Sequence, residues 1–332
     1  MNILFIANYD YANIFSEWCL AFEKYLLDNN IKNINLKYYC LKQEVKIKYE
    51  YNFPKCSINT EIYISNLPNY IIKNNFTSIF FEGEVYKYYD IITNISKLSN
   101  IKRNFNIFHT GSRYRRLSPV FNKLDNHPSI TKIIYGSDLY RLAPNINVNK
   151  KCVILPIKYI ETLYTKNDLI NKYNNNNKLL ILHCPSNRVS KGSDTIKEIV
   201  DRVLLNNNIQ NYFEYKEISN VSNEEIMSIK KNSHIYIDQF NINVGGFGVS
   251  SMEALAVGNI VLSSMNNIPE NVLHKNFPII NISSLELFEK ILTNLLLKNK
   301  ALILQEAINS YDYYYKEYSN AGISKKLLTC CI

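Results

Sequence analysis

One alternation dominates this sequence and limits what it can fold into. A short apolar run is followed by a polar turn, then by apolar residues at helical spacing, and the series starts over after residue 178. Asn2 to Ala7 is a continuous apolar run of the kind a parallel strand buried on both faces requires. Asn8 to Asn13 is a polar turn, and Ile14, Phe15, Trp18, Phe22 and Leu26 then recur at helical spacing. Strand-like runs follow at Ile34 to Cys40, Ser78 to Phe81, Phe105 to His109, Lys132 to Tyr135 and Cys152 to Leu155, with helical stretches at Tyr86 to Leu98 and Leu117 to Leu124. The second series predicts strands at 179–182, 212–218, 234–240 and 260–263, and helices at 193–205, 223–231, 250–257, 284–297 and 300–318. Such a series packs as a parallel sheet with helices on both faces. The expected class is α/β in two domains, which also suits 332 residues. Residues 1–156 form the first domain and the polar, Asn- and Lys-rich stretch 157–178 is the expected linker. Residues 179–300 form the second domain, and 301–332 are expected as a C-terminal helix packing back toward the first. Facing strand C-termini would then enclose a cleft, where α/β sheets bind ligands.

The chain has only 9 glycines, where average usage of about 7% would give roughly 23. Each one therefore needs a reason, and Gly245, Gly246, Gly248 and Gly258 crowd into one short stretch. This stretch runs from Asp238 to Leu262 and reads as strand, glycine turn, helix. The amides of Gly246, Phe247, Gly248 and Val249 are expected to face an anion at the helix N-terminus, where a Cβ would block close approach. Glu253, one turn into the helix, is placed to accept from the hydroxyls of a ribose. The plain structural alternative is a tight turn with an ion-paired glutamate.

A second stretch, His183 to Gly192, also follows a strand and precedes a helix. Arg188 and Lys191, at i and i+3, can converge on one diphosphate, the first as a fork and the second as a point charge. Ser186, Asn187 and Gly192 would complete the contact. Taken alone, the pair reads equally as two solvated cations.

Together the two stretches resemble the GT-B glycosyltransferases of the retaining family 4 type. That family carries a Pro-Ser segment with R-x-x-K-G, then a G-F-G turn leading into E-A-hydrophobic-A-x-G. Here these read Pro185-Ser186-Asn187-Arg188 to Lys191-Gly192, and Gly246-Phe247-Gly248 to Glu253-Ala254-Leu255-Ala256-Val257-Gly258. The motif resemblance covers residues 179 to 265. It implies two Rossmann-like α/β domains facing each other across a cleft, a nucleotide-sugar donor (UDP- or GDP-linked), transfer with retention, and no required metal or other cofactor. It also implies an acceptor that is a glycan, a lipid-linked sugar or a protein. Arg188 and Lys191 would take up the leaving diphosphate's charge, Glu253 the ribose, and His109, at a strand end in the first domain, would contact the sugar. Asp10, Asn13, Gly111 and Arg113 are candidate acceptor or sugar contacts, with Arg115 and Arg116 beside them; a solvated helix start is the alternative for the arginines. The family has a further glutamate upstream of the one matched by Glu253, and this chain has Gly245 in its place. Asp238-Gln239 is a candidate compensator.

Other classes find less support. Seven cysteines without C-x-x-C spacing read as reduced thiols in a cytoplasmic protein. No apolar run is long enough to span a membrane, and the terminal Cys330-Cys331-Ile332 reads as a frayed tail rather than a lipidation site. A net charge of +9 favours anionic partners, including peripheral contact with an anionic membrane face. No nucleic-acid-binding module is visible. The histidines show no zinc spacing, and there is no P-loop or G-x-S-x-G elbow. A GT-B-like nucleotide-sugar 2-epimerase and an inactive nucleotide-binding partner subunit are the alternative functions.

Overall fold

The computed structural model describes residues 1–7, 14–40, 66–82, 88–109, 123–135, 152–154, 164–175, 177–241, 246–266, 268 and 276–332. These divide into two units, one drawn from 1–159 and 319–332, the other from 160–318.

The first unit is a parallel sheet of strands β1 (Asn2–Ala7), β2 (Asn35–Cys40), β3 (Ser78–Glu82), β4 (Asn104–His109), β5 (Ile130–Tyr135) and β6 (Cys152–Ile154), in the order β2-β1-β3-β4-β5-β6. Its helices are α1 (Ile14–Asp28), α2 (Leu67–Lys73), α3 (Tyr88–Leu98) and α11 (Asn320–Cys331). Side chains alternate across a strand, and that alternation sorts the core. Leu4, Ile6, Ile79, Phe81, Ile107 and Ile133 pack with α2 and α3. Ile3, Phe5, Phe80, Phe108 and Ile134 pack with α1 and α11, where Phe5 stacks on Phe80 at 4.4 Å between ring centroids.

Cys330 and Cys331 depart from the frayed tail expected of them. Ser319 caps α11 by accepting from the Gly322 amide. Ile323, Leu327, Cys330 and Cys331, at helical spacing, are buried against α1 and the sheet. The Cys331 carbonyl accepts from Asn104 Nδ2 at 2.6 Å and Ser78 Oγ at 3.4 Å. Apolar periodicity outweighs the polar Ser324-Lys325-Lys326 in the middle of this helix.

The second unit is a parallel sheet of β7 (Leu179–His183), β8 (Phe213–Glu217), β9 (Ile235–Gln239), β10 (Ile260–Ser263) and β11 (Ile280–Asn281), ordered β11-β10-β9-β7-β8. One face buries Ile181, Ile237 and Leu262 under α4 (Lys166–Asn175), α6 (Ser193–Asn206), α9 (Leu285–Leu296) and α10 (Lys300–Tyr318). The other packs Leu182, Tyr236 and Val261 against α8 (Val249–Ala256), with α7 (Asn223–Asn232) beside it. The polar stretch 157–178 thus contains a helix. Leu169, Lys172 and Tyr173 share one face of it and are buried. Lys172 Nζ donates to the Val257 carbonyl at 2.9 Å and to Asn259 Oδ1 at 3.0 Å, and burial pushes its pKa well down. A lysine on the inner face hides such a helix from a hydropathy reading.

Candidate functional site

Strand order changes direction in the second unit between β7 and β9, whose C-terminal ends carry the two motif stretches. In open α/β sheets this is where ligands bind. β7 ends in His183, whose ring joins neighbouring elements: Nδ1 lies 2.7 Å from the Ile237 carbonyl and Nε2 2.8 Å from Ser193 Oγ. Burial lowers its pKa. Both of its ring nitrogens are thus engaged within the fold.

Past β7, Ser186 and Asn187 are exposed. Asn187 begins the short helix α5 (Arg188–Lys191), its Oδ1 accepting from the Ser190 amide at 2.9 Å. Arg188 and Lys191 do not meet at one point. Arg188 turns to Glu217, at the end of β8, and to Asp194. Lys191 Nζ reaches Asp238 Oδ1 at 2.7 Å and Gln239 Oε1 at 3.4 Å, in a side chain only 19% exposed.

Gly192 adopts the left-handed conformation, with φ of 68°. A Cβ there would lie 2.0 Å from the Phe240 carbonyl oxygen. The Phe240 amide in turn donates to the Lys191 carbonyl at 2.9 Å. The structure therefore gives this glycine a reason other than phosphate approach: its backbone presses on the strand end that carries Asp238.

Asp238 is fully buried and gathers three donors: Lys191 Nζ, Ser251 Oγ at 2.6 Å and the Gly248 amide at 3.4 Å. Burial alone would raise its pKa, but Lys191, Ser251 and the Gly248 amide outweigh it and hold the carboxyl below the usual range.

The glycine turn is also more divided than expected. The Gly246 amide donates to the Ser264 carbonyl at 2.7 Å, so it is not turned to an incoming anion. Its carbonyl accepts from Gln239 Nε2 and Ser263 Oγ. Phe247 is buried, its ring 4.9 Å from that of Phe277, and anchors the turn. Gly248 opens α8, and a Cβ on it would meet no atom within 4 Å. Gly248 and Val249 thus border open space at a helix N-terminus, where backbone N–H groups lack intrahelical partners.

Glu253 lies deeper than a rim residue. Its Oε2 accepts from Lys230 Nζ at 2.7 Å and its Oε1 from Asn223 Nδ2 at 3.1 Å. The Lys230 side chain is wholly buried. Sequence reasoning missed this lysine, although its place four residues after Ile226, on the inner face of α7, is a legible signal. It missed Ser251 and Asn223 as well.

In the first unit, β4 delivers His109 to a buried position, with Nε2 2.7 Å from Asp125 Oδ1. Glu82, at the end of β3, is buried too. Asp10, Asn13, Gly111, Arg113, Arg115, Arg116 and Gly245 lie outside the described residues. Among the described residues, no helix is long and apolar enough to cross a membrane.

No family model and no curated protein matches the sequence. Solved structures do match. The E. coli trehalose-6-phosphate structure bound with UDP-2-fluoro glucose aligns with a TM-score of 0.59 at 10% identity, covering 100% of this chain and 99% of that one. The lipopolysaccharide outer core galactosyltransferase WaaB, in its apo form, aligns at 0.54 and 11% identity, covering 99% of each chain. The S. aureus MnaA–UDP co-structure aligns at 0.50 and 13% identity, covering 98% and 94%. At these identities the likeness is one of fold, and the fold is GT-B: two Rossmann-like α/β units.

Proposed function

We propose that this chain is a glycosyltransferase that moves a sugar from a nucleotide-sugar donor to a glycan, lipid-linked or protein acceptor. One observation carries the reading. A lysine ammonium oriented by the buried carboxylate of Asp238 and the N-terminus of α8 stand together at the strand-order switch of a GT-B sheet, beside open space at Gly248, with donors beyond those that Asp238 takes. This is a preorganised place for negative charge to develop on a leaving diphosphate. Proteins of the same fold are seen with UDP or a UDP-sugar, which supports a donor of that class, UDP- or GDP-linked.

In this reading residues 179–300 hold the donor and 1–156 the acceptor, joined through 157–178, with 301–332 as the C-terminal helical segment. Lys191 and Arg188 take the diphosphate charge. Arg188 exchanges its present carboxylate partners for phosphate. Ser186 and Asn187 border the phosphates, with Gly192, Gly246, Phe247, Gly248 and Val249 shaping the pocket, and Glu253 holds the ribose. His109, oriented by Asp125, contacts the sugar, and Asp10, Asn13, Gly111 and Arg113 serve sugar or acceptor. Transfer proceeds with retention and without metal: the leaving phosphate accepts the acceptor's proton as the glycosidic bond to it breaks and the new one forms. The enzyme works in the cytoplasm, with its basic surface suited to an anionic membrane face.

The test is a thermal-shift panel of nucleoside diphosphates and their sugars, followed by product analysis. A ligand at 100 times its Kd adds about 2.7 kcal/mol. No shift with any nucleotide would overturn the reading. Interconversion at the sugar C2 without transfer would replace it with the epimerase alternative. Lys191→Ala unpairs the buried Asp238 carboxylate and so lowers stability, and the protein that remains folded should lose about 2–4 kcal/mol of transition-state stabilisation, the scale of one lost oxyanion donor. Near-normal turnover would remove Lys191 from its assigned role.

A further inference from the structure

We infer that Lys230 is a positioning residue that sets the nucleotide site's preference for ribose over 2′-deoxyribose, by fixing the carboxylate of Glu253. The inference rests on the reading of Glu253 as the ribose ligand.

Lys230 lies on the inner face of α7, with its side chain completely buried. An ammonium has three protons to donate, and here three acceptors lie within reach: Glu253 Oε2 at 2.7 Å, Ser250 Oγ at 2.7 Å and the Ser250 carbonyl at 3.1 Å. The nitrogen also sits 4.8 Å from the centroid of the Tyr236 ring, whose hydroxyl lies 2.6 Å from Ser250 Oγ. The cation is therefore fully committed and has nothing left for a ligand.

A buried ion pair of this kind gains little stability over an apolar pair of similar volume. What it does supply is a fixed geometry. With Oε2 held from within by Lys230, the Glu253 carboxylate is fixed in orientation, and Oε1 is the oxygen left for a partner other than the lysine. Its present partner there is Asn223, an exposed residue at the start of α7. An oxygen fixed in this way accepts from a hydroxyl without paying the entropy of ordering a free carboxylate. Loss of the lysine would leave Glu253 free to turn or to draw in water, and the 2′-hydroxyl would lose its dedicated acceptor.

A merely structural role, strapping α7 to α8, predicts a different pattern, and the test separates the two. Binding of UDP and GDP is measured by calorimetry, and the tighter of the two is compared with its 2′-deoxy counterpart in each variant. The wild type should prefer the ribonucleotide by about tenfold or more, the value of one hydrogen bond to a charged group. Lys230→Met should bring the ratio close to one while binding of the deoxy nucleotide changes little. Should that variant fail to fold, Lys230→Gln answers the same question, because its amide fills the site but falls short of Glu253. Ser250→Ala removes one of the contacts between Lys230 and α8, the hydroxyl, but leaves the Lys230–Glu253 pair, and should keep the wild-type ratio. A folded Lys230 variant with the wild-type ratio overturns the inference, as does loss of the ratio in Ser250→Ala. If Glu253→Ala abolishes the preference and the Lys230 variants keep it, only the role of Lys230 falls. If the wild type shows no preference, or Glu253→Ala preserves it, the ribose reading falls and this inference with it.

Discussion

Replacing Gly192 by alanine separates two reasons for a glycine beside the proposed nucleotide site. If the residue is glycine only so that a phosphate can come close, Gly192→Ala should melt like the wild type without ligand and fail only in binding. The structure predicts otherwise. Residue 192 sits at φ of 68°, where an L side chain costs about 1–2 kcal/mol. The new Cβ would stand 2.0 Å from the Phe240 carbonyl oxygen and 3.0 Å from its carbon, and both are backbone atoms that cannot swing aside. Parting them strains the packing by about 1–3 kcal/mol and endangers the Phe240–Lys191 backbone hydrogen bond, worth about 1 kcal/mol. A total of about 3–6 kcal/mol follows, and at about 2–4 °C per kcal/mol for a unit of this size the ligand-free Tm should fall by at least about 6 °C. Differential scanning calorimetry without nucleotide measures it directly. A Tm within about 1 °C of wild type would refute the argument that Gly192 is set by Phe240.

Gly248→Ala is the counterpart: with φ of −108° and no atom within 4 Å of the added Cβ, its ligand-free stability should change by less than about 1 kcal/mol while nucleotide affinity drops. Unchanged nucleotide affinity would show that the open space is not the phosphate site. Leu327→Ala in the fully buried face of α11 should cost about 2–5 kcal/mol in urea denaturation, where a frayed tail would cost nothing. Acid should weaken the second unit early. Burial pushes His234 down to about 3, while the unfolded chain takes up this proton below about 6.5. Stability therefore declines as the pH falls from 6.5 toward 3, by about 3 kcal/mol at pH 4, at 1.4 kcal/mol per pH unit. His234 Nδ1 accepts from the Leu180 amide, so His234→Asn should keep that bond and flatten the slope; an equally steep slope in the variant would contradict the assignment.

Much of the fold was legible because burial on both faces leaves a plain trace. β1 and β3 carry the apolar runs Ile3 to Ala7 and Ile79 to Phe81, and every position from Ile3 to Ala7 and Ser78 to Glu82 is buried. Where local sequence is mixed, tertiary packing decides and the trace fades. α4 carries its buried face as Leu169, Lys172 and Tyr173 in an Asn-rich stretch that reads as a linker. The site divides in the same way. Motif residues place Lys191, Gly248 and Glu253 on their elements, because spacing along a strand, turn and helix is local information. Their partners come from elsewhere: Asp238 lies 47 positions beyond Lys191 in sequence, and Lys230 lies 23 before Glu253. No local pattern announces such a pairing.

These partners change what the motif charges mean. Lys191 and Glu253, read alone, are one cation and one anion offered to a ligand. In the structure each is already held by a buried group of opposite sign, Asp238 for the lysine and Lys230 for the glutamate. Neither ligand-facing charge is then a free charge in a low-dielectric site, where its desolvation would be costly. The Lys191–Asp238 pair leaves the ammonium protons not given to Asp238 for phosphate, and the Glu253–Lys230 pair leaves Oε1 for a hydroxyl. The site can therefore stay preorganised while empty, and in the proposed reading a nucleotide displaces outer partners such as Asn223 without rebuilding the charge balance inside.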